Sequence, residues 1–374
     1  MRKRYKNPNL KTKSSGFSLT KTIRIDGSIL EGGGSIVRNA VALATLFQKP
    51  LEIYNIRAKR SRPGLRNQHT FAVKTIGDLC NAKTEGVSVG SRTIKFFPGA
   101  IRGGEFEIDV KTAGSLSLLL QAVLPIAVHA PEKVKLLMKG GTDVPMAPPY
   151  DYIRSVFLPI LKNIGVDVIT CLGRRGHYPK GNGTLSCDVQ PKLRLKPIQY
   201  KLEKPLEIEQ IDGAAHAVQL PEHIVERMIT SASEELKKHN LKIGEIEPLW
   251  CKPKYDPHAG PGTGITLWTK TNYQTYLAGD SLGRKGIPAE KVGSIAARNL
   301  IQQIKYGKPI DYHLADQLII WMTISDYPSV IETGKITLHV LTNIEIAKKL
   351  TNAEFDVEGS EGGPGIIYCE PNNP

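Results

Sequence analysis

Cysteine is scarce in this chain: 374 residues contain 5, odd in number and scattered as Cys80, Cys171, Cys187, Cys251 and Cys369. No CxxC pair exists, which argues against a zinc ribbon or a disulfide framework and fits a reducing cytoplasm. Long hydrophobic runs are missing too. The most apolar window, Leu116 to Val128, carries Gln121 and Pro125 and is too short to span a bilayer. The N-terminus, MRKRYKNPNLKTKSSGF, is basic but lacks the apolar core of a signal peptide. We read residues 1–20 as a disordered basic tail. Acidic residues are in deficit, 36 against 50 lysines and arginines, giving a net charge of +14. Such an excess suits a polyanionic partner, nucleic acid or a phosphorylated substrate. There is no GK[ST] of a P-loop, and no HxH or HExxH metal spacing among the 9 histidines.

What is present is a repeat. The strand TIRIDG leads into a Gly-rich turn and a helix with Ile36, Val37, Ala40, Val41 and Ala44 at helical spacing. The strand PLEIYNIR, a basic loop, a helix near 66–80 and a strand pair ending at Pro98-Gly99 follow. A second unit repeats this order: FEIDV, the small-residue turn TAGS, a helix through Pro125, KVKLLM, the loop GGTDVPMAPP, a helix near 150–164 and two strands to about 190. Each unit therefore reads β-α-β-α-β-β. A third unit, in altered order, is expected at the C-terminus: a helix over 288–305, strands near 318–324 and 335–341, and a helix over 343–350. Residues 191–284 read as an inserted domain, leaving 21–190 and 285–374 as the main body of an α/β (α+β) fold.

Four stretches could carry chemistry. Gly27 to Arg38, GSILEGGGSIVR, can bring backbone N–H groups to an anion at a helix N-terminus. Glu31 within it could hold a divalent cation. In the second, RAKRSRPGLRNQH, Arg57, Lys59, Arg60, Arg62 and Arg66 crowd together without an acid. Such a cluster costs stability unless an anion neutralises it, and arginine suits phosphate oxygens. A solvated basic loop is the equal alternative. The third is HLADQ at 313–317, where an imidazole can stack on a base and a carboxylate can bind a ribose or a base amine; a helix start with its polar residues in solvent is the equal alternative. The fourth is His339 in KITLHVLTN; alternation there predicts a strand with His339 on its more polar face, as nucleophile, ligand or surface histidine.

EGGGSIVR, IRAKRSRPGLRNQH, TAGS with LLLQAVLP, GGTDVPMAPP, HLADQ and TLHVLTN occur in an order and at spacings that resemble the RNA 3'-terminal phosphate cyclases, over about residues 22–370. The resemblance implies three repeat units like the C-terminal domain of translation initiation factor 3, related to the repeat of enolpyruvyl-shikimate-phosphate synthase, plus a small inserted α/β domain. It implies an ATP-dependent ligase that converts an RNA 3'-phosphate end to a 2',3'-cyclic phosphodiester. The expected course runs through a covalent histidine–AMP adduct and an RNA(3')pp(5')A end, with Mg²⁺ or Mn²⁺.

Carried over by position, the resemblance makes His339 the adenylated residue and puts Glu31 near the metal. It gives Arg38, Arg57, Arg60, Gln68 and His69 to the phosphates or RNA end. It sets Gln121, Pro148, His313, Leu314, Ala315, Asp316 and Gln317 against the ATP, with Pro148 on one adenine face. His313 stands where the family often has tyrosine, which leaves adenine preference open. The expected partner is RNA with a 3'-phosphate end, with no membrane; a homodimer is left open. Two rivals remain: a non-catalytic cyclase-like protein of ribosome assembly, which would lack the nucleophilic histidine, and an enolpyruvyl transferase.

Overall fold

A computed structural model describes residues 21–192 and 194–371. The basic tail at 1–20 lies outside the described residues. In the first unit β1 (Ile23–Asp26), α1 (Gly34–Leu46), β2 (Leu51–Tyr54), α2 (Asn67–Cys80), β3 (Lys83–Glu85) and β4 (Ile94–Phe97) form a sheet of order β1-β2-β4-β3. Strands β1 and β2 are parallel, so α1 serves as the crossover; the other pairs are antiparallel. The second unit holds β5 (Gly104–Asp109), α3 (Leu116–Val128), β6 (Val134–Gly140), α4 (Tyr150–Tyr152), α5 (Leu158–Asn163), β7 (Val168–Arg174) and β8 (Gly183–Val189). A π-helical turn joins α4 to α5. Its sheet, β5-β6-β8-β7, has the same parallel–antiparallel–antiparallel pattern.

The third unit has this order as well, and here the sequence reading needs correction. Its first strand is β9, only Gln199–Tyr200, too short to leave a pattern in the sequence. An inserted domain follows: β10 (Ile208–Val218), α6 (His223–Lys237), β11 (Ile243–Trp250), β12 (Gly262–Thr271), β13 (Tyr276–Leu282) and α7 (Ala289–Tyr306). The unit then resumes with α8 (Tyr312–Thr323), β14 (Ser329–Thr333), α9 (Leu338–Leu350), β15 (Glu354–Gly359) and β16 (Gly365–Glu370). The sheet β15-β16-β14-β9 pairs β9 with β14 in parallel. The order is thus unaltered, β-α-β-α-β-β, interrupted after its first strand.

Two stretches read as strands are helices. LIIWMT at 318–323 lies in α8, buried nearly all round; an apolar run of this length does not distinguish a strand from a core helix. Thr337 ends the stretch read as a strand, because its Oγ1 accepts from the Val340 N–H at 3.2 Å and caps α9. His339 is therefore in the first turn of a helix, not on a strand face.

Helices α1, α2, α3, α8 and α9 pack on one another and share one core with the three sheets. Ala40 and Ala44 keep α1 slim enough for this. The inserted sheet, β11-β10-β12-β13, has a core of its own, built by Ile211, Met228, Leu236, Leu267, Leu277 and Leu300 under α6 and α7. Helix α7, expected in the third unit, packs here: its Gly293 lies so close to the Met228 carbonyl that a Cβ would sit 2.1 Å from it.

Candidate active site

The turn between β1 and α1 builds the centre. Gly32 takes φ +60°, and Glu31 folds back over the start of α1. Its Oε2 accepts from the Gly33 N–H at 2.7 Å and from the Ser35 hydroxyl at 3.2 Å. The carboxylate thus caps a helix that has no cap from its own N-cap residue. Arg60, from the basic loop, donates to the Glu31 carbonyl at 3.0 Å and forms an ion pair with Oε1. The Glu31 N–H donates to Thr342 Oγ1 of α9 at 3.2 Å. Glu31 therefore ties together α1, the basic loop and α9.

His339 faces this knot. Its Nδ1 lies 3.9 Å from Glu31 Oε2, an electrostatic contact too long for a hydrogen bond, and 49% of its side chain is exposed. Burial of the remainder lowers its pKa; Glu31 works the other way, while Arg38, Arg60 and His313 add to the lowering. The positive end of α9 acts in the same direction. These influences favour the neutral imidazole, and about half of the side chain is open to solvent.

Arg38 and Asp316 lie behind. Burial lowers Arg38 to about 10, against the opposing pull of Asp316 and Glu31. Burial raises Asp316 to about 7, with Arg38 opposing. An amide chain stitches the helices here: Asn39 of α1 donates to Asn343 of α9 at 2.7 Å, and Asn343 donates to the Asp316 carbonyl of α8 at 2.9 Å. Sequence reasoning missed Asn39, Thr342 and Asn343; two of them stand in TLHVLTN, but nothing in their spacing marks them. It also missed Asp311, the buried N-cap of α8, which accepts from the His313 N–H at 2.6 Å.

His69 is buried against α1; a Cβ on Gly34 would sit 2.0 Å from its Nε2. Burial, then Arg38, Arg57 and Arg66, push it down to about 3. The Arg66 N–H donates to its Nδ1 at 3.1 Å, and the Gln68 amide nitrogen lies 3.3 Å from its Nε2. Arg57 is partly committed to its own loop, donating to the carbonyls of Arg62 at 2.7 Å and Gly64 at 3.0 Å. Burial lowers its pKa, and Arg66 and Arg60 lower it further, as expected where like charges await an anion.

On the α8 side, Gln121 donates to Gln317 Oε1 at 2.7 Å, and Gln317 donates to the His313 carbonyl at 2.9 Å. His313 is exposed, its ring centroid 4.2 Å from that of Tyr312. Of the other residues set against the nucleotide, the Leu314 and Ala315 side chains are fully buried in the core, and their N–H groups are taken up by Asp311. Pro148 is half-buried just ahead of α4, whose Tyr152 hydroxyl is raised by burial and then by Asp311 and Asp316. Glu31, Arg38, Arg60, His313, Asp316 and His339 thus share one electrostatic neighbourhood, with Gln121 joined to it through Gln317.

A family model for RNA 3'-terminal phosphate cyclase matches residues 29–357. The chain belongs to the RNA 3'-terminal phosphate cyclase family. It is 42% identical over 346 residues to an RNA 3'-terminal phosphate cyclase of Ignicoccus hospitalis, covering 92% of this chain and 97% of that one. It is 44% identical over 349 residues to one from Korarchaeum cryptofilum, covering 93% and 97%. Among solved structures, the enolpyruvyl transferase NikO from Streptomyces tendae covers 93% of this chain and 48% of its own, at 11% identity and a TM-score of 0.37, a likeness too slight to bear on function. The cyclases are ligase-type enzymes, and the three-unit α/β body agrees with that family's fold. No helix among the described residues is long and apolar enough to cross a membrane.

Proposed function

We propose that the chain converts RNA 3'-phosphate ends to 2',3'-cyclic phosphodiesters with ATP, through a covalent AMP adduct on His339. The observation that carries this reading is the neutral His339 at a helix N-terminus, 3.9 Å from Glu31 and flanked by Arg38 and Arg60.

With Nδ1 turned to the Glu31 carboxylate, the ring proton belongs there and the Nε2 lone pair is free to attack. The Nε2 atom attacks the α-phosphorus of ATP, the bond to pyrophosphate breaks, and an N–P bond forms. An oxygen of the RNA 3'-phosphate then attacks the same phosphorus, the N–P bond breaks, and RNA(3')pp(5')A results. The 2'-hydroxyl attacks the 3'-phosphorus and AMP leaves; the hydroxyl proton passes to a base or water. A phosphate monoester oxygen is a poor leaving group and AMP a good one, so adenylation makes closure of the ring feasible. Arg38, Arg57 and Arg60 supply fixed positive charge for the phosphates. Buried neutral His69 cannot take up a proton near pH 7.

We assign adenine to the region of His313, Gln121, Gln317 and Pro148. Their arrangement does not fix a choice against guanine. Among the described residues Glu31 is the only carboxylate beside His339 that ion-pairs with the basic loop, and its oxygens already serve Arg60, Gly33 and Ser35. One such group cannot hold a cation unaided. It fits Mg²⁺ or Mn²⁺ shared with ATP phosphates, which Mg²⁺ commonly accepts, provided Arg60 yields its place. The metal would neutralise phosphate charge there.

The rival of a non-catalytic RNA-binding relative is disfavoured by the presence of His339 itself. Unpaired cysteines support a reducing, cytoplasmic setting. The test is product analysis: 3'-phosphorylated RNA with ATP should yield ends resistant to phosphatase and lacking a free 3'-phosphate. Persistence of the monoester with folded protein and either metal would reject the activity.

A further inference from the structure

Away from His339, two histidines with no spacing relation in the sequence meet in the interior. His177 lies in the hairpin between β7 and β8 of the second unit, and His216 in β10 of the inserted domain. Both are buried, with their Nε2 atoms 3.0 Å apart. The Nδ1 atom of each ring has no hydrogen-bond partner. Buried Asp143 stands beside them, and one ligand atom from each of the three residues lies within 4.8 Å of the others. Two glycines make room for the rings. A Cβ on Gly262 would sit 2.1 Å from the His177 ring, and one on Gly264, paired with His216 across the sheet, 3.0 Å from that ring.

We propose that Asp143, His177 and His216 bind a borderline divalent cation, Zn²⁺ by the nature of the donors, which fastens the inserted domain to the second unit. Two imidazole nitrogens and one carboxylate oxygen suit Zn²⁺ and not Mg²⁺ or Ca²⁺, which take oxygen donors. The surroundings are those of a supported ligand set. Asp143 accepts from Arg175 at 3.1 and 3.2 Å and from Thr142 Oγ1 at 2.7 Å, which orients it and leaves lone pairs over. His216 Nδ1 points towards Asp151 Oδ2 at 3.9 Å, where a proton on Nδ1 would leave Nε2 as the ligand. Arg175 serves both carboxylates, and Arg154 reaches Asp151 only at 3.8 Å from the half-exposed side. Arg175 is thus shared between two buried carboxylates and does not belong to Asp143 alone. Such a site is structural, because the three residues are closed off from solvent.

The test uses the full chain, dialysed without chelator and then titrated with Zn²⁺ or Co²⁺ alone. The expected result is about one tightly held ion per chain, visible absorption bands from the Co²⁺ form, and a melting temperature that falls on chelation and returns with Zn²⁺. His177→Phe, which keeps a ring in the Gly262 cradle, and His216→Gln should each lose the ion while still forming the His339 adduct. A Cys171→Ser/Cys251→Ser form, lacking the exposed thiols, should keep it. The proposal is overturned if wild type holds no ion and its melting temperature ignores Zn²⁺; the pair is then a metal-free hydrogen bond. It is equally overturned if both histidine variants retain the ion. Should the variants fail to fold, the wild-type titration decides alone.

Discussion

Glu31 and Arg60 act on His339 with opposite signs, and this separates a designed electrostatic setting from a chance cluster. Glu31 raises the pKa of His339 and Arg60 lowers it. At the observed 3.9 Å the Glu31–imidazolium attraction is about 1 kcal/mol in a water-like medium and about 4 kcal/mol at an effective dielectric of 20. Half the histidine side chain is exposed, so the lower end applies. That is about a fivefold change in the protonation constant, since 1.4 kcal/mol is tenfold. The attacking ring must be neutral, so adduct formation falls as pH drops through the His339 pKa. Glu31→Gln removes the stabiliser of the charged form and moves this acid limb to lower pH. Arg60→Met removes a destabiliser and moves it to higher pH. The assay is the initial rate of adduct formation against pH at saturating ATP and metal. Rates will drop in both variants, by roughly a hundredfold or more where Glu31 is lost; the position of the limb, not its height, is the readout. Limbs that move together, or do not move, would refute the electrostatic account.

Other outcomes follow from the same geometry. His339→Ala should leave stability within about 0.5 kcal/mol by denaturant titration, since the ring is half exposed and makes no hydrogen bond, while abolishing the adduct. Thr337→Val removes the cap of α9 and should cost about 1 kcal/mol, read as a lower melting temperature, with slower adduct formation because His339 sits in the turn that frays. Asp316 has a folded pKa of about 7 against 3.8 in the unfolded chain. Between these values the native state binds more protons, so its contribution to stability falls as pH rises and levels off above about 7. Asp316→Asn should flatten that part of the stability–pH curve; an unchanged slope would show that Asp316 does not carry it.

The sequence revealed the two intact units because each strand–helix transition is marked by glycine or small residues, as at Gly32–Gly34 and TAGS. The third unit was obscured for three physical reasons. Its first strand pairs through only Gln199 and Tyr200. Its helix α8 is apolar on nearly every side, so LIIWMT lacks the helical stripe. And ITLHVL alternates as a strand would until Thr337 caps the helix. The basic loop stood out as a cluster of cations without an acid, whereas His339 and Glu31, a lone histidine and a lone carboxylate, drew their roles from the resemblance. Leu314 and Ala315 came along only as neighbours within HLADQ, and helical geometry turns them into the core while Asp316 and Gln317 face Arg38 and Gln121. The Asn39–Asn343 bridge and the His177–His216 pair are products of tertiary packing, joining segments that share no local pattern.

The most direct measurement of the central claim is covalent labelling. The protein is incubated with ATP labelled at the α-phosphate and with Mg²⁺ or Mn²⁺ but no RNA, then denatured. The account predicts acid-labile label on wild type, its loss in His339→Ala and its retention in His313→Ala. Label that survives in His339→Ala, or a folded wild type that takes up none with either metal, would contradict it.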